Sequence, residues 1–328
     1  MAVGPRLGDI LSDLAVELQA SEWEDGASCS TRLAWNLPSS TPIRSPSPAF
    51  VQNSDCDDIP RKRPRVEKCA EERVVTLVHT GCTSLDDVGQ QLWRGALLMA
   101  DLLVERRNEL DGCTILELGC GVGLLGIVMK VATCDATVVL TDRDDAILDF
   151  ARRNVRANSH LESFCGARGT EIYVRELDWL GVWPGDNRKN IQDTPEKGDW
   201  STDDLRNLDK IDFILAADCI YDEALTDGFF ACLQKLLRVN PKAKAWVALE
   251  KRFNFELASL SVQANGYRRF LHHLGLAYID GALTSMNRKA SDKSLLLHGR
   301  QMRVEFPKYF DYERSTQLEL WEITLFTP

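Results

Sequence analysis

Apolar residues along the chain fall into short runs and helical stripes that take turns. Val74-Val75-Thr76-Leu77-Val78 reads as the strand where folding begins. Ala96, Leu97, Met99, Ala100, Leu102 and Leu103 then predict a helix entered through Gly89-Gln90-Gln91-Leu92-Trp93-Arg94-Gly95. Ile115, Leu116 and Leu118 form a run that stops at Gly119-Cys120-Gly121-Val122-Gly123, and helical spacing resumes through Leu124, Leu125, Ile127, Val128 and Val131. A second run, Thr137 to Leu140, ends at Asp142 and is followed by a helix carrying Ile147, Leu148, Ala151 and Val155 together with the polar Asn154 and Asn158. Ile172-Tyr173-Val174 makes a third strand that leads to Leu177-Asp178-Trp179. Trp183 to Lys210, polar and rich in charge, reads as an insertion loop. Ile211 to Ala217 is a nearly continuous apolar strand running into Asp218-Cys219-Ile220-Tyr221. A helix over Leu225 to Val239, a strand over Ala245 to Leu249, a helix near Phe255 to Ala264 and an alternating strand from Leu318 to Leu325 complete the pattern. Strands and helices in alternation predict an α/β fold around a mostly parallel sheet.

The first seventy residues differ. Leu7, Ile10, Leu11, Leu14 and Leu18 fall at helical spacing, but one isolated helix is marginal in water. Leu37 to Phe50 turns to Ser and Pro, with Thr41-Pro42, Ser45-Pro46 and Ser47-Pro48, a composition with too little to bury. The expected organisation is therefore a mostly disordered arm over residues 1–70 and a folded domain over 71–328. Within the arm, Arg61, Lys62, Arg63 and Arg65 form a basic cluster bracketed by prolines, which reads as a nuclear localisation signal; a solvated charge run is the alternative.

Charge sharpens that contrast, because the whole chain carries a formal −10. An acidic protein suits a basic partner, and direct nucleic-acid binding is not expected of it. The ten cysteines include no Cys-x-x-Cys pair and several lie in predicted core elements, which suits a reducing compartment. Cysteines and histidines show no zinc spacing. No stretch approaches the roughly twenty apolar residues of a membrane span, so a soluble intracellular protein is expected, nuclear and also compatible with the cytoplasm.

Candidate chemistry gathers at the carboxyl ends of the strands, where open α/β sheets bind ligands. Glycines at 119, 121 and 123 allow a tight turn and a close approach of ligand to backbone, and the following helix aims free N–H groups at the same place. Asp142, at the tip of the second strand of the unit, is placed to take both ribose hydroxyls of a nucleoside. NAD and S-adenosylmethionine both satisfy that geometry. Glu117, inside the strand before the turn, would repel a pyrophosphate but match a ligand that carries an ammonium and a sulfonium, so the methyl donor is favoured while an NAD-dependent oxidoreductase stays open. Asp218 and Tyr221 should line the same pocket; Trp93 either packs in the core or forms the pocket's ceiling, and Trp179 either packs or stacks on an adenine face with Asp178 bonding the amino group.

These stations resemble the seven-strand, class I methyltransferases, and specifically the family 16 protein lysine methyltransferases. The matching pieces are Leu92-Trp93-Arg94-Gly95-Ala96, Glu117-Leu118-Gly119-Cys120-Gly121-Val122-Gly123, Asp142, Leu177-Asp178-Trp179 and Ala217-Asp218-Cys219-Ile220-Tyr221. The resemblance implies a Rossmann-like seven-stranded fold and transfer of a methyl group from S-adenosyl-L-methionine to a lysine of a protein, nuclear proteins or chaperones among the candidates. It also implies that Trp93, Glu117, Gly119, Gly121, Asp142, Trp179 and Ala217 hold the cofactor, while Asp218 and Tyr221 face the acceptor lysine. Three rivals stand beside it. Nucleic-acid amino methyltransferases of this fold use Asp/Asn-Pro-Pro-Tyr/Phe, where this chain has Cys219-Ile220 in place of the prolines. Small-molecule methylation shares the donor half, and a non-enzymatic adaptor would keep the fold without the chemistry.

Replacing Arg61, Lys62, Arg63 and Arg65 together by Ala is expected to abolish nuclear accumulation of a tagged protein. Imaging that shows unchanged accumulation would count against an import signal there.

Overall fold

The computed structural model describes residues 28–36, 72–80, 85–161, 169–184, 199–256, 261–279, 282–286 and 297–326. The stripe at Leu7 to Leu18, the Ser/Thr-Pro pairs and the basic cluster at Arg61 to Arg65 lie outside the described residues.

β1 (Ser28–Asn36) and β2 (Glu72–Thr80) form an antiparallel hairpin. β3 (Thr114–Leu118), β4 (Thr137–Asp142), β5 (Glu171–Glu176), β6 (Phe213–Ala217) and β7 (Lys244–Glu250) are parallel neighbours in the main sheet. Two small antiparallel pairs follow, β8 (Asn254–Glu256) with β9 (Ser261–Gln263) and β10 (Leu276–Ile279) with β11 (Ala282–Ser285). β12 (Leu297–Met302) and β13 (Leu318–Leu325) then close one edge of the main sheet antiparallel, giving seven strands in the order β12-β13-β7-β6-β3-β4-β5.

The central strands are apolar on both faces because both faces are covered. Ile115 and Leu215 point into a core shared with α1 (Arg94–Glu105), α2 (Leu124–Ala132) and α3 (Asp145–Ala157). Leu116 and Ile214 point into the opposite core, filled by Phe229, Phe230 and Phe270. Between these core elements three helices begin at polar caps: Asp144 accepts from the Ala146 N–H to cap α3, and α4 (Thr202–Leu208) opens on a Ser201/Asp204 capping box. α5 (Glu223–Val239) is capped by Asp222, and α6 (Asn265–Leu274) completes the set.

Three sequence expectations are corrected. The boundary at residue 70 would cut the first hairpin in two: Thr31, Leu33 and Trp35 of β1 are buried and alternate with exposed Arg32 and Ala34, so residues 28–36 belong to the folded domain. Within the expected loop from Trp183 to Lys210, α4 is held by Arg175, which donates two hydrogen bonds to Asp204, and by Trp200, whose Nε1 donates to the Glu176 carbonyl. The helix expected near Phe255 to Ala264 starts instead at Asn265, where Tyr267, Phe270, Leu271 and Leu274 supply the buried stripe; β8 and β9 occupy the earlier stretch. Cys113, Cys120, Cys219 and Cys232 are free thiols, and Cys134 is bonded in a disulfide.

Two asparagines one helical turn apart attach the hairpin to the sheet layer. Asn154 accepts from the Val78 N–H and donates to the carbonyls of Val78 and Val122, and Asn158 repeats the pattern with the N–H and carbonyl of Thr76. Alternate residues of β2 thus pair with side-chain amides as they would with another strand. Asp101 of α1, fully buried, accepts from the N–H groups of Tyr309 and Phe310, the Tyr312 hydroxyl and Arg314, and so fastens the segment before β13.

Asn154→Ala leaves buried peptide groups of Val78 and Val122 without partners and is expected to cost about 1 to 3 kcal/mol. Thermal unfolding should show a fall of roughly 2 to 4 °C per kcal/mol. An unchanged midpoint would mean that the hairpin is not anchored through this side chain.

Candidate active site

The pocket lies where β3 and β6 run side by side although β4 and β5 come between them in the chain. Their continuations diverge at that point and leave a crevice at the carboxyl ends. Val88, Trp93, Gly119, Gly121, Asp142, Arg143, Trp179, Ala217, Asp218, Cys219 and Tyr221 are among the residues that line it. All of the sequence-expected site residues therefore meet in one cavity except Glu117, which sits just inside β3.

The glycine turn owes its path to left-handed backbone at Gly119, Gly121 and Gly123, with φ of 72°, 50° and 81°. At Gly121 a Cβ would also stand 2.9 Å from the Gly89 carbonyl oxygen, so no other residue fits without movement. The Gly121 N–H donates to Asp142 Oδ2 (3.0 Å) and the Arg143 N–H to Oδ1 (2.8 Å). This orients the carboxylate and leaves a lone pair on each oxygen for hydroxyl donors. The end of the Trp179 indole lies against Gly119, where an added Cβ would be 3.4 Å from its ring, and Phe229 supports the ring edge-on at 5.5 Å. Asp178 turns back to accept from the Leu180 N–H while still lining the pocket.

At the end of β6, Asp218 is the one described non-glycine residue in the left-handed region, with φ of 54°. Its Oδ2 accepts from the Gly95 N–H (2.6 Å), its Oδ1 accepts from the Glu250 N–H (2.9 Å), and Arg252 stands 4.0 Å away. Burial pushes its carboxyl up, against the pull of Arg252 and of those two N–H groups. Tyr221, 38 % exposed, stands at the mouth, and burial with the neighbouring Cys219 raises its phenol, so it is a neutral donor at ordinary pH.

Glu117 has a different environment. Its side chain is buried, Oε2 has no hydrogen-bond partner, and burial reinforced by the Asp142 charge pushes its carboxyl well above the usual range. The Trp179 Nε1–H is likewise buried and unpartnered. Orphaned buried polar atoms call for an explanation, and a ligand that brings a cation and an acceptor supplies one. S-adenosylmethionine fits these residues: a carboxylate without a counter-charge, an oriented acid on a nucleotide-binding strand, a glycine cradle and aromatic walls. Among the described residues no cluster of His, Cys, Asp and Glu has the arrangement of a metal site, and no helix is long and apolar enough to cross a membrane.

Sequence reasoning missed Arg143 and Cys219 as lining residues. Arg143 directly follows the acid at the strand tip, so its position was readable from Asp142; Cys219 carried no signal that separated it from a core cysteine.

Residues 78–265 match the lysine methyltransferase family. The chain is 37 % identical over 262 residues to methyltransferase-like protein 22 of Mus musculus, covering 79 % of this chain and 61 % of the relative. With methyltransferase-like protein 22 of Homo sapiens it shares 36 % identity, over 76 % of this chain and 57 % of the relative. Protein N-lysine methyltransferase METTL21A of Xenopus tropicalis is 30 % identical over 52 % of this chain and 63 % of its own length. The aligned part thus spans about three-fifths of the length of these curated relatives.

A carboxyl held protonated by burial must ionise to meet a cation. Affinity for S-adenosylhomocysteine is therefore expected to rise with pH through the raised Glu117 value, and binding below it should release protons. Calorimetry in buffers of different ionisation heat measures that release, and Glu117→Gln should abolish it and weaken binding. In the ligand-free protein the sign is fixed by linkage: stability associated with neutral Glu117 is complete below the ordinary carboxylate range and is lost as pH climbs through the raised value. Glu117→Gln should then lose less thermal stability than the parent on going alkaline. Equal proton release in parent and variant would remove Glu117 from the binding reaction.

Proposed function

Because the chain belongs to the lysine methyltransferase family, we propose that it is a protein-lysine N-methyltransferase using S-adenosyl-L-methionine. The observation that carries this reading is the meeting, in one pocket, of the glycine turn and Asp142 with Asp218 and the partly exposed Tyr221. Trp93, Gly119, Gly121, Asp142, Trp179 and Ala217 would hold the cofactor as pocket lining, with Glu117 opposing its positive charge from beneath. Bound there, the cofactor supplies a methyl group on a positively charged sulfur.

The protein's own task is to present an uncharged nitrogen. A lysine ammonium, with a free pKa of about 10.4, must shed a proton before its nitrogen can take a methyl group. Low-dielectric walls built from Trp93, Trp179 and Ala217 favour the neutral amine. Tyr221 bounds the entry and offers its phenol to orient the nitrogen. Asp218 accepts a hydrogen bond from the amine with a lone pair that Gly95 and Glu250 leave unused. Most of the rate gain in such a site comes from alignment.

The rival readings fare less well. Cys219-Ile220 replaces the prolines of nucleic-acid amino methyltransferases, and Glu117, an acid with no cation acting on it, offers a pyrophosphate no counter-charge. The proposed partner is a protein that presents a lysine, nuclear proteins and chaperones included. The proposed location is the nucleus, by way of an import receptor that binds Arg61, Lys62, Arg63 and Arg65.

Incubation with labelled methyl donor and nuclear extract, with and without protease or nuclease, should give protease-sensitive label. Once the acceptor protein is identified, its Lys→Arg form should remain unlabelled. Asp142→Ala is expected to weaken S-adenosylhomocysteine binding by about ten- to a hundred-fold, whereas Tyr221→Phe should leave that affinity near the parental value and slow transfer roughly tenfold. Nuclease-sensitive label, or label that persists on the Lys→Arg protein, would sink the lysine reading.

A further inference from the structure

α1 begins with a residue that cannot cap it. Its N-cap is Trp93, which has no side-chain hydrogen bond to the helix, and its first turn contains no acidic residue. A helix start leaves several N–H groups without partners, and serine, threonine, asparagine or aspartate normally satisfies one. Here the missing acceptor comes from another element: Asp218, at the end of β6, takes the Gly95 N–H at 2.6 Å. The negative carboxylate also lies at the positive end of the helix dipole.

The contact explains why residue 95 is glycine. A Cβ there would stand 2.5 Å from Asp218 Oδ2 and 2.7 Å from its carboxyl carbon. The same carboxylate accepts from Glu250 at 2.9 Å, and Arg252, 4.0 Å from Oδ1, lays its guanidinium 4.2 Å over the centroid of the Trp93 ring. Arg94, next to Trp93, is paired with Glu250 at 3.2 Å. On the ring's polar edge, Trp93 Nε1 donates to the Val88 carbonyl at 2.8 Å. Backbone and ring of Trp93 are thus approached by two routes, through Gly95 and through Arg252, and both start at Asp218. An aspartate held at a φ of 54°, where most side chains are strained, is consistent with a position selected for what its carboxylate holds.

We propose that Asp218 is a positioning residue for the cofactor pocket: it caps α1 from outside the helix and thereby sets the Trp93 ring in the pocket wall. The proposal rests on the cofactor reading above and adds to Asp218 a duty separate from any contact with the acceptor amine. Asparagine cannot perform it, since the side chain faces two N–H donors and an amide has one acceptor oxygen.

The test is a double-mutant cycle read as S-adenosylhomocysteine affinity by calorimetry, with no methyl transfer involved. Asp218→Asn and Gly95→Ala, which disturb the contact from opposite sides, are each expected to weaken binding by about tenfold. In a Trp93→Ala background the same Asp218→Asn change should cost at most about twofold more, because the ring it positions is gone. A role in stability alone would give the same loss in both backgrounds. Parental affinity in Asp218→Asn, or full additivity with Trp93→Ala, overturns the proposal and leaves Asp218 to the acceptor alone. Where Asp218→Asn does not unfold cooperatively, the Gly95→Ala cycle, run in the same way, decides. A parent protein that binds no S-adenosylhomocysteine overturns the cofactor reading and this proposal together, which separates the two failures.

Discussion

Two parallel strands lying side by side without being consecutive is what makes this site. β3 pairs with β6 over Ile115 to Leu118 and Phe213 to Ala216, and at their carboxyl ends the chain turns one way into the glycine loop and the other way into Asp218. No side chain has to open a crevice there, because the connections leave in opposite directions. What the residues must do is line it, and the segments that follow the strands supply most of the chemically active positions: Gly119 and Gly121 after β3, Asp142 and Arg143 at the tip of β4, Trp179 after β5, Asp218 and Tyr221 after β6.

The buried carboxylates of the region divide by how they are satisfied. Asp142 and Asp218 each accept two backbone N–H groups, so each links two pieces of chain that are distant in sequence. Asp101 and the Asn154/Asn158 pair play the same part away from the pocket, tying an irregular segment and a hairpin to helices. Glu117 departs from this economy, with a buried oxygen that bonds to nothing in the protein. Trp35, Arg152, Trp179 and Asn265 each keep one unpartnered buried atom as well, but Glu117 is the acid among them, and an unpaired acid is costly to keep unless something else completes it.

Charge runs through the same pocket in both signs. Arg252 offsets Asp218 and stacks on Trp93, while the Arg143 charge pulls against the burial that raises both the Asp142 carboxyl and the Tyr221 phenol. The cations lie beside the acids that make backbone contacts, and none is among the causes that act on Glu117. The pocket therefore separates acids already balanced by backbone N–H groups and a neighbouring cation from Glu117, which has neither.

The order of strands and helices, the glycine turn, Asp142 and the Asp218/Tyr221 pair were legible in the amino-acid pattern. Periodicity and turn chemistry act over a few residues, and strand-end acids follow a rule of topology. Helix boundaries near Asn265, α4 inside the polar stretch and β1 ahead of residue 70 were not legible. Each is stabilised by partners far along the chain: Glu319 for Tyr267 of α6, Arg175 for Asp204 and Glu176 for Trp200 at α4, β2 for the strand at Ser28–Asn36. The two roles of Asp218 separate along the same line. That an acid stands at the end of β6 could be read from neighbouring residues, but that it caps a helix 123 positions earlier follows from packing, because a hydrogen bond between distant residues leaves no local pattern.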